Sequence, residues 1–122
     1  MTLRVIPTWV HGVLDYVTGG ALLSAPELFS LKNVPPAARA FRLAGCGAVA
    51  YSLLTDYELG LVRLLPMPAH LALDAMSGVL LASSPWLFGF DQNGRRYWLP
   101  HVLAGATEIL AATTTKTVPA KG

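Results

Sequence analysis

Apolar residues are grouped along this chain in four long stretches separated by short polar breaks. The stretches cover about residues 7–31, 40–55, 66–90 and 97–115. A helix that crosses a bilayer needs about 20 mostly apolar residues, and each stretch approaches that length once its ends are trimmed. The breaks carry turn chemistry. Lys32-Asn33-Val34-Pro35-Pro36 is a breaker cluster, Asp56 to Arg63 is charged and leads into Pro66 and Pro68, and Asp91-Gln92-Asn93-Gly94 is a turn signal. The pattern predicts an all-α chain, a four-transmembrane-helix bundle forming a single membrane domain over residues 1–122. An even number of spans places both termini on one side.

Composition narrows the class. Hydrophobic residues make up 53% of the 122 and charged residues only 13%, about half the charge of a typical soluble domain. Such a chain is too apolar to be disordered. A single cysteine, Cys46, excludes a disulfide scaffold, and within its apolar stretch it reads as a small buried packing residue. The net charge is +2 and no basic run exceeds Arg95-Arg96, so nucleic acid is not an expected partner. His11 and Asp15 interrupt the first stretch, which therefore reads as a retained span and not a cleaved signal. No G-x-S-x-G, P-loop or H-E-x-x-H motif occurs. These observations point to a non-enzymatic membrane scaffold, accessory subunit or partner-binding protein, lying in lipid and open to self-association.

The chain also repeats itself. His11, Asp15, Gly19, Ser24, Pro26, Leu28 and Phe29 recur 59 residues later as His70, Asp74, Gly78, Ser83, Pro85, Leu87 and Phe88. Leu43-Ala44-Gly45 and Thr55 recur at an offset of 60, as Leu103-Ala104-Gly105 and Thr115. Two helical hairpins follow, one over about 7–57 and one over about 66–116. Each hairpin has two spans, so they form a parallel repeat about an axis along the membrane normal. The second copy carries Ser84-Pro85-Trp86; the first reads Ala25-Pro26-Glu27. A Ser-Pro-Trp tripeptide inside a duplicated H-x3-D-x3-G hairpin resembles the SPW-repeat family of small bacterial membrane proteins. The resemblance implies tandem membrane hairpins in a bacterial inner membrane and carries no activity with it. Proline disfavours helix at the residue before it, so Ser84-Pro85 is expected to end or kink the third span. Trp9, Trp86 and Trp98 fall at span ends and read as interfacial anchors.

The candidate chemistry lies in the ionisable residues inside the spans. At 1.5 Å per residue, Asp74 lies about 9 Å, Asp15 about 12 Å and Glu108 about 10 Å from the surface nearest the termini. His11 and His70 sit one turn shallower, on the same faces as their aspartates. Tyr51 falls near the histidine layer, and His101 is near the opposite surface. Gly19, Gly78, Gly45 and Gly105 allow close helix approach, which turns the polar stripe inward. The layer His11, Asp15, His70, Asp74 and Glu108 has four readings. The histidines donate to their i+4 aspartates and hold the bundle together. Alternatively, His11 and His70 ligate haem b, the carboxylates relay protons, ions or small solutes, or the His and carboxylate side chains bind a divalent metal. The tail from 116 to 122 reads as a short disordered end.

Overall fold

The structure, a computed structural model, describes residues 4–119. It contains four helices: α1 (Thr8–Leu28), α2 (Pro35–Leu53), α3 (Met67–Leu87) and α4 (Arg95–Thr114). A 3-10 turn, Phe90–Asn93, precedes α4. Prolines set the starts of α1, α2 and α3. Pro7 and Pro66 cap α1 and α3 with the same extended backbone, φ −62° and ψ 150°. Pro35 opens α2, where its missing N–H costs nothing. The second helix therefore begins five residues before the expected apolar stretch and takes in Arg39 and Arg42. Arg95 and Arg96 likewise open α4. Basic residues mark where apolar stretches stop, but a helical backbone continues through them.

Of the two outcomes expected at Ser84-Pro85, an end or a kink, the end does not occur there, and α3 runs on to Leu87. Pro85 cannot donate to the carbonyl of Leu81, four residues earlier. The Ser84 hydroxyl donates to that carbonyl instead, at 2.7 Å. Serine before proline thus supplies the missing hydrogen bond, and this is its local reason in the tripeptide. The first copy has Ala25 at this position and lacks the hydroxyl.

The helices pack as hairpins, α1 on α2 and α3 on α4, with the two hairpins joined chiefly through α2 and α3. Glycines permit the close crossings. A Cβ on Gly105 would stand 2.3 Å from the Gly78 carbonyl oxygen and 2.6 Å from the Ala82 nitrogen. A Cβ on Gly45 would stand 3.0 Å from the Gly19 oxygen. Leu22, Leu31, Phe41 and Leu81 form the main apolar core. Beside it, Val34, Ala37 and Phe90 close the end occupied by the 29–34 connection. His101 is fully buried there, its Nε2 2.8 Å from the Ala37 oxygen and its ring 3.9 Å from Phe41. At the other end, bridges Ile6–Thr115 and Thr55–Leu65 tie the end of each hairpin to the start of the other. Arg4 donates to the carbonyls of Ala112 and Thr115.

Two further expectations are corrected. Cys46 is exposed on the outer face of α2, not packed inside, because Gly45 and Ala48 are the residues of that helix turned inward. Lys116 is held by a backbone bond to Ile6, 2.9 Å long, so the tail is ordered at its start. Positions 120–122 lie outside the described residues. Among the described residues, no helix is long and apolar enough to cross a membrane. Polar residues lower the average over each helix: His11 and Asp15 in α1, Arg39 and Arg42 in α2, His70 and Asp74 in α3, and Arg95, Arg96 and Glu108 in α4.

Candidate functional site

The site is assembled from the two H-x3-D segments. A spacing of four residues places His11 beside Asp15 on α1 and His70 beside Asp74 on α3. The hairpin packing then brings the two pairs together, and one ligand-capable atom from each of the four lies within 4.8 Å of the others. His11 Nε2 is 2.8 Å from Asp74 Oδ2 and 3.1 Å from Asp15 Oδ1. His70 Nε2 is 3.0 Å from Asp15 Oδ2 and 3.1 Å from Asp74 Oδ2. The sequence predicts pairing within each helix. The tetrad adds cross-pairing between hairpins, and the shortest His–Asp distance, His11 to Asp74, is of that kind. The side chains are nearly closed off, His70 at 0%, His11 at 2%, Asp74 at 8% and Asp15 at 10% exposure.

The far nitrogens are held by threonines just beyond α2 and α4. His11 Nδ1 is 2.7 Å from Thr115 Oγ1, and His70 Nδ1 is 2.7 Å from Thr55 Oγ1. Each threonine hydroxyl already donates backwards, Thr115 to Ala111 and Thr55 to Tyr51, both at 2.6 Å. With the hydroxyl proton committed, the threonine oxygen can only accept, so each Nδ1 carries hydrogen. Both Nε2 atoms are thereby directed at the carboxylates. Nε2 of His70 is buried and makes no hydrogen bond of acceptable geometry with either aspartate.

Two tyrosines complete the surroundings. Tyr51 donates to Asp74 Oδ1. Tyr57 donates to Asp15 Oδ2 at 2.8 Å from the 54–66 loop. The Asp56–Arg63 break, which reads as a short charged loop, instead folds over this end of the bundle with Tyr57 1% exposed. Burial and the Asp15 carboxylate push the Tyr57 phenol up from its ordinary value, so it stays a donor. Glu58 accepts from Thr8 at 2.7 Å and anchors the loop to α1. The repeat alignment did signal one part of this shell, since Thr55 and Thr115 match at the same offset as the glycines. Tyr57 has no such signal.

Glu108 lies next to the four converging groups. It is buried and is not one of them. It lines a small cavity of about 90 Å³ with His11, Asp15 and Asp74, and its Oε2 has no hydrogen-bond partner. The haem reading does not fit this geometry. The His11 and His70 rings stand edge to face at 5.4 Å with carboxylates between their Nε2 atoms. A drug-sized ligand needs roughly 300–1,000 Å³, and the adjoining cavity is far smaller than a porphyrin requires. His101 belongs to the opposite end and takes no part.

Two apolar grooves flank the bundle. The larger, of about 680 Å³, runs beside Val17, Thr18 and Leu103, and the other, of about 420 Å³, beside Met76, Ser77 and Leu43. A family model described as the SPW repeat domain matches residues 8–115. No curated protein and no solved structure matches the chain.

Proposed function

The chain belongs to the SPW repeat family, and on that premise we propose that it works as a small bilayer-embedded scaffold of two tandem hairpins, resident in a bacterial inner membrane. One observation carries this reading: the ionisable groups of the bundle are turned inward, while much of its outer surface is apolar. His11, His70, Asp74 and Glu108 are buried, while Val17, Leu43, Leu80, Leu103 and Leu110 are each more than half exposed. Water does not favour that distribution over such an extent of surface. Lipid does, because ionisable groups within a membrane turn to the bundle interior and find partners there. Helix-averaged hydropathy mixes the two faces and falls short for that reason. Helices of 19–21 residues rise about 28–32 Å, close to the roughly 30 Å of a hydrocarbon core. Trp9 and Trp86, about half exposed at opposite ends, suit the two interfaces as anchors.

The paired contacts support the hairpins as parallel repeats. His11–Thr115 matches His70–Thr55, and the bridge Ile6–Thr115 matches Leu65–Thr55, all at offsets of 59 or 60. The scaffold's outer surface serves lipid and, along the grooves, other membrane chains or a second copy. The test is membrane retention in the expressing bacterium, with tags on both termini. The protein is expected to stay in the pellet after an alkaline carbonate wash, to be released only by detergent, and to show both tags on one side of sealed vesicles. Release by carbonate, or tags on opposite sides, overturns the proposal.

A further inference from the structure

From the convergence of His11, Asp15, His70 and Asp74 we infer a structural divalent transition-metal site that clamps the two hairpins together. The argument starts with the ring nitrogens. Both Nδ1 atoms donate to threonines, so each imidazole keeps its Nδ1 hydrogen and, once a metal displaces the Nε2 proton that His11 donates to Asp74 at 2.8 Å, is neutral with an Nε2 lone pair facing the centre. That is the arrangement a metal-bound histidine adopts, its other nitrogen oriented by a hydrogen bond to a second group. Asp74 contributes Oδ2, while its Oδ1 is occupied by the Tyr51 hydroxyl. Asp15 contributes Oδ1, while Tyr57 holds its Oδ2. Four donors, two nitrogen and two oxygen, thus face one point, each with a supporting contact behind it.

Charge and coordination chemistry select the occupant. Two aspartates and two neutral histidines carry a charge of −2, which a divalent ion cancels; a closed environment penalises any remaining net charge. Imidazole with carboxylate in a closed four-ligand shell suits Zn2+ and its neighbours, not Mg2+ or Ca2+, which prefer six or more oxygens. Zinc–ligand bonds of about 2.0–2.2 Å place tetrahedral ligand atoms about 3.4 Å apart. The nitrogen–oxygen separations of 2.8–3.1 Å among His11, Asp15 Oδ1, Asp74 and His70 are a few tenths shorter, while the four ligand atoms lie within 4.8 Å of one another, so binding asks for a rearrangement of the side chains. A further pointer is His70 Nε2, fully buried and aimed into the cluster, with Asp15 and Asp74 oxygens at 3.0 and 3.1 Å but well aligned for a hydrogen bond with neither. The site needs only the packed hairpins, so it does not depend on the bilayer placement.

The full chain, purified in mild detergent from zinc-supplemented cells, provides the test. Elemental analysis is expected to find one zinc per chain. After chelation, titration with Co2+ should produce the intense visible ligand-field bands of a four-coordinate site. His70→Gln should lose the ion, and His101→Gln, at the other end of the bundle, should keep it. If His70→Gln does not accumulate, Thr55→Val decides the matter. It retains all four ligands but removes the Nδ1 acceptor, and should weaken zinc binding about 10- to 100-fold. Zinc well below one per chain with no cobalt bands, or unchanged affinity in Thr55→Val, overturns the inference. Carbonate extraction of the protein from membranes would overturn the scaffold proposal and leave this result standing.

Discussion

Tyr57 donates to Asp15 across 42 positions of sequence, from a loop to the middle of a helix, at 2.8 Å. This bond closes the polar end of the bundle. Tyr57 also stacks obliquely near His70, with ring centroids 5.3 Å apart, so its ring fills space while its hydroxyl satisfies a carboxylate.

Tyr57→Phe keeps the ring and removes only the hydroxyl. A buried acceptor that loses its donor costs about 1–3 kcal/mol. The variant should therefore melt earlier in detergent than the parent. Tyr16→Phe is the control, since the Tyr16 hydroxyl donates to the Leu59 carbonyl in an exposed setting. Equal losses in the two variants would count against any special role for the Asp15 contact.

Thr115→Val is nearly isosteric but cannot accept from His11 Nδ1. It should destabilise the fold by about 1–3 kcal/mol, seen as a lower thermal midpoint. Thr115→Ser restores the oxygen and should recover most of the loss. A serine variant as unstable as the valine variant would show that the methyl group, not the hydrogen bond, matters at this position.

Helix crossing gives a contrast between glycines. Gly105→Ala drives its Cβ into backbone atoms of Gly78 and Ala82, and overpacking of this kind costs about 1–3 kcal/mol. Gly47 has nothing within 4 Å of a built Cβ, so Gly47→Ala should be neutral or gain up to about 1 kcal/mol from helix propensity. Thermal melts of the two variants should move apart. Similar shifts would mean that the α3–α4 crossing is looser than the structure places it.

Hydrophobic patterning and the internal repeat were sufficient to read the four helices, the hairpin contacts and the inward polar stripe, because each depends on local periodicity. The glycine pairs and the H-x3-D segments also lie on single helices, where i and i+4 spacing alone sets the face. The pattern misplaced the starts of α2 and α4, because Arg39, Arg42, Arg95 and Arg96 interrupt an apolar run without interrupting a helix. It left open whether Ser84-Pro85 ends or kinks α3; the helix does not end there, because Ser84 replaces the lost bond.

Tertiary packing decided what no local rule contains. It chose which aspartate each histidine meets, set Thr55 and Thr115 behind the rings, folded Tyr57 over the site and left Glu108 in a neighbouring cavity. Depth along a helix is a one-dimensional quantity, and residues of equal depth can still face different directions. Rotation of each helix about its own axis follows from how the glycine surfaces seat against one another. That contact, made between segments distant in sequence, converts a shared layer into four converging side chains and one bystander.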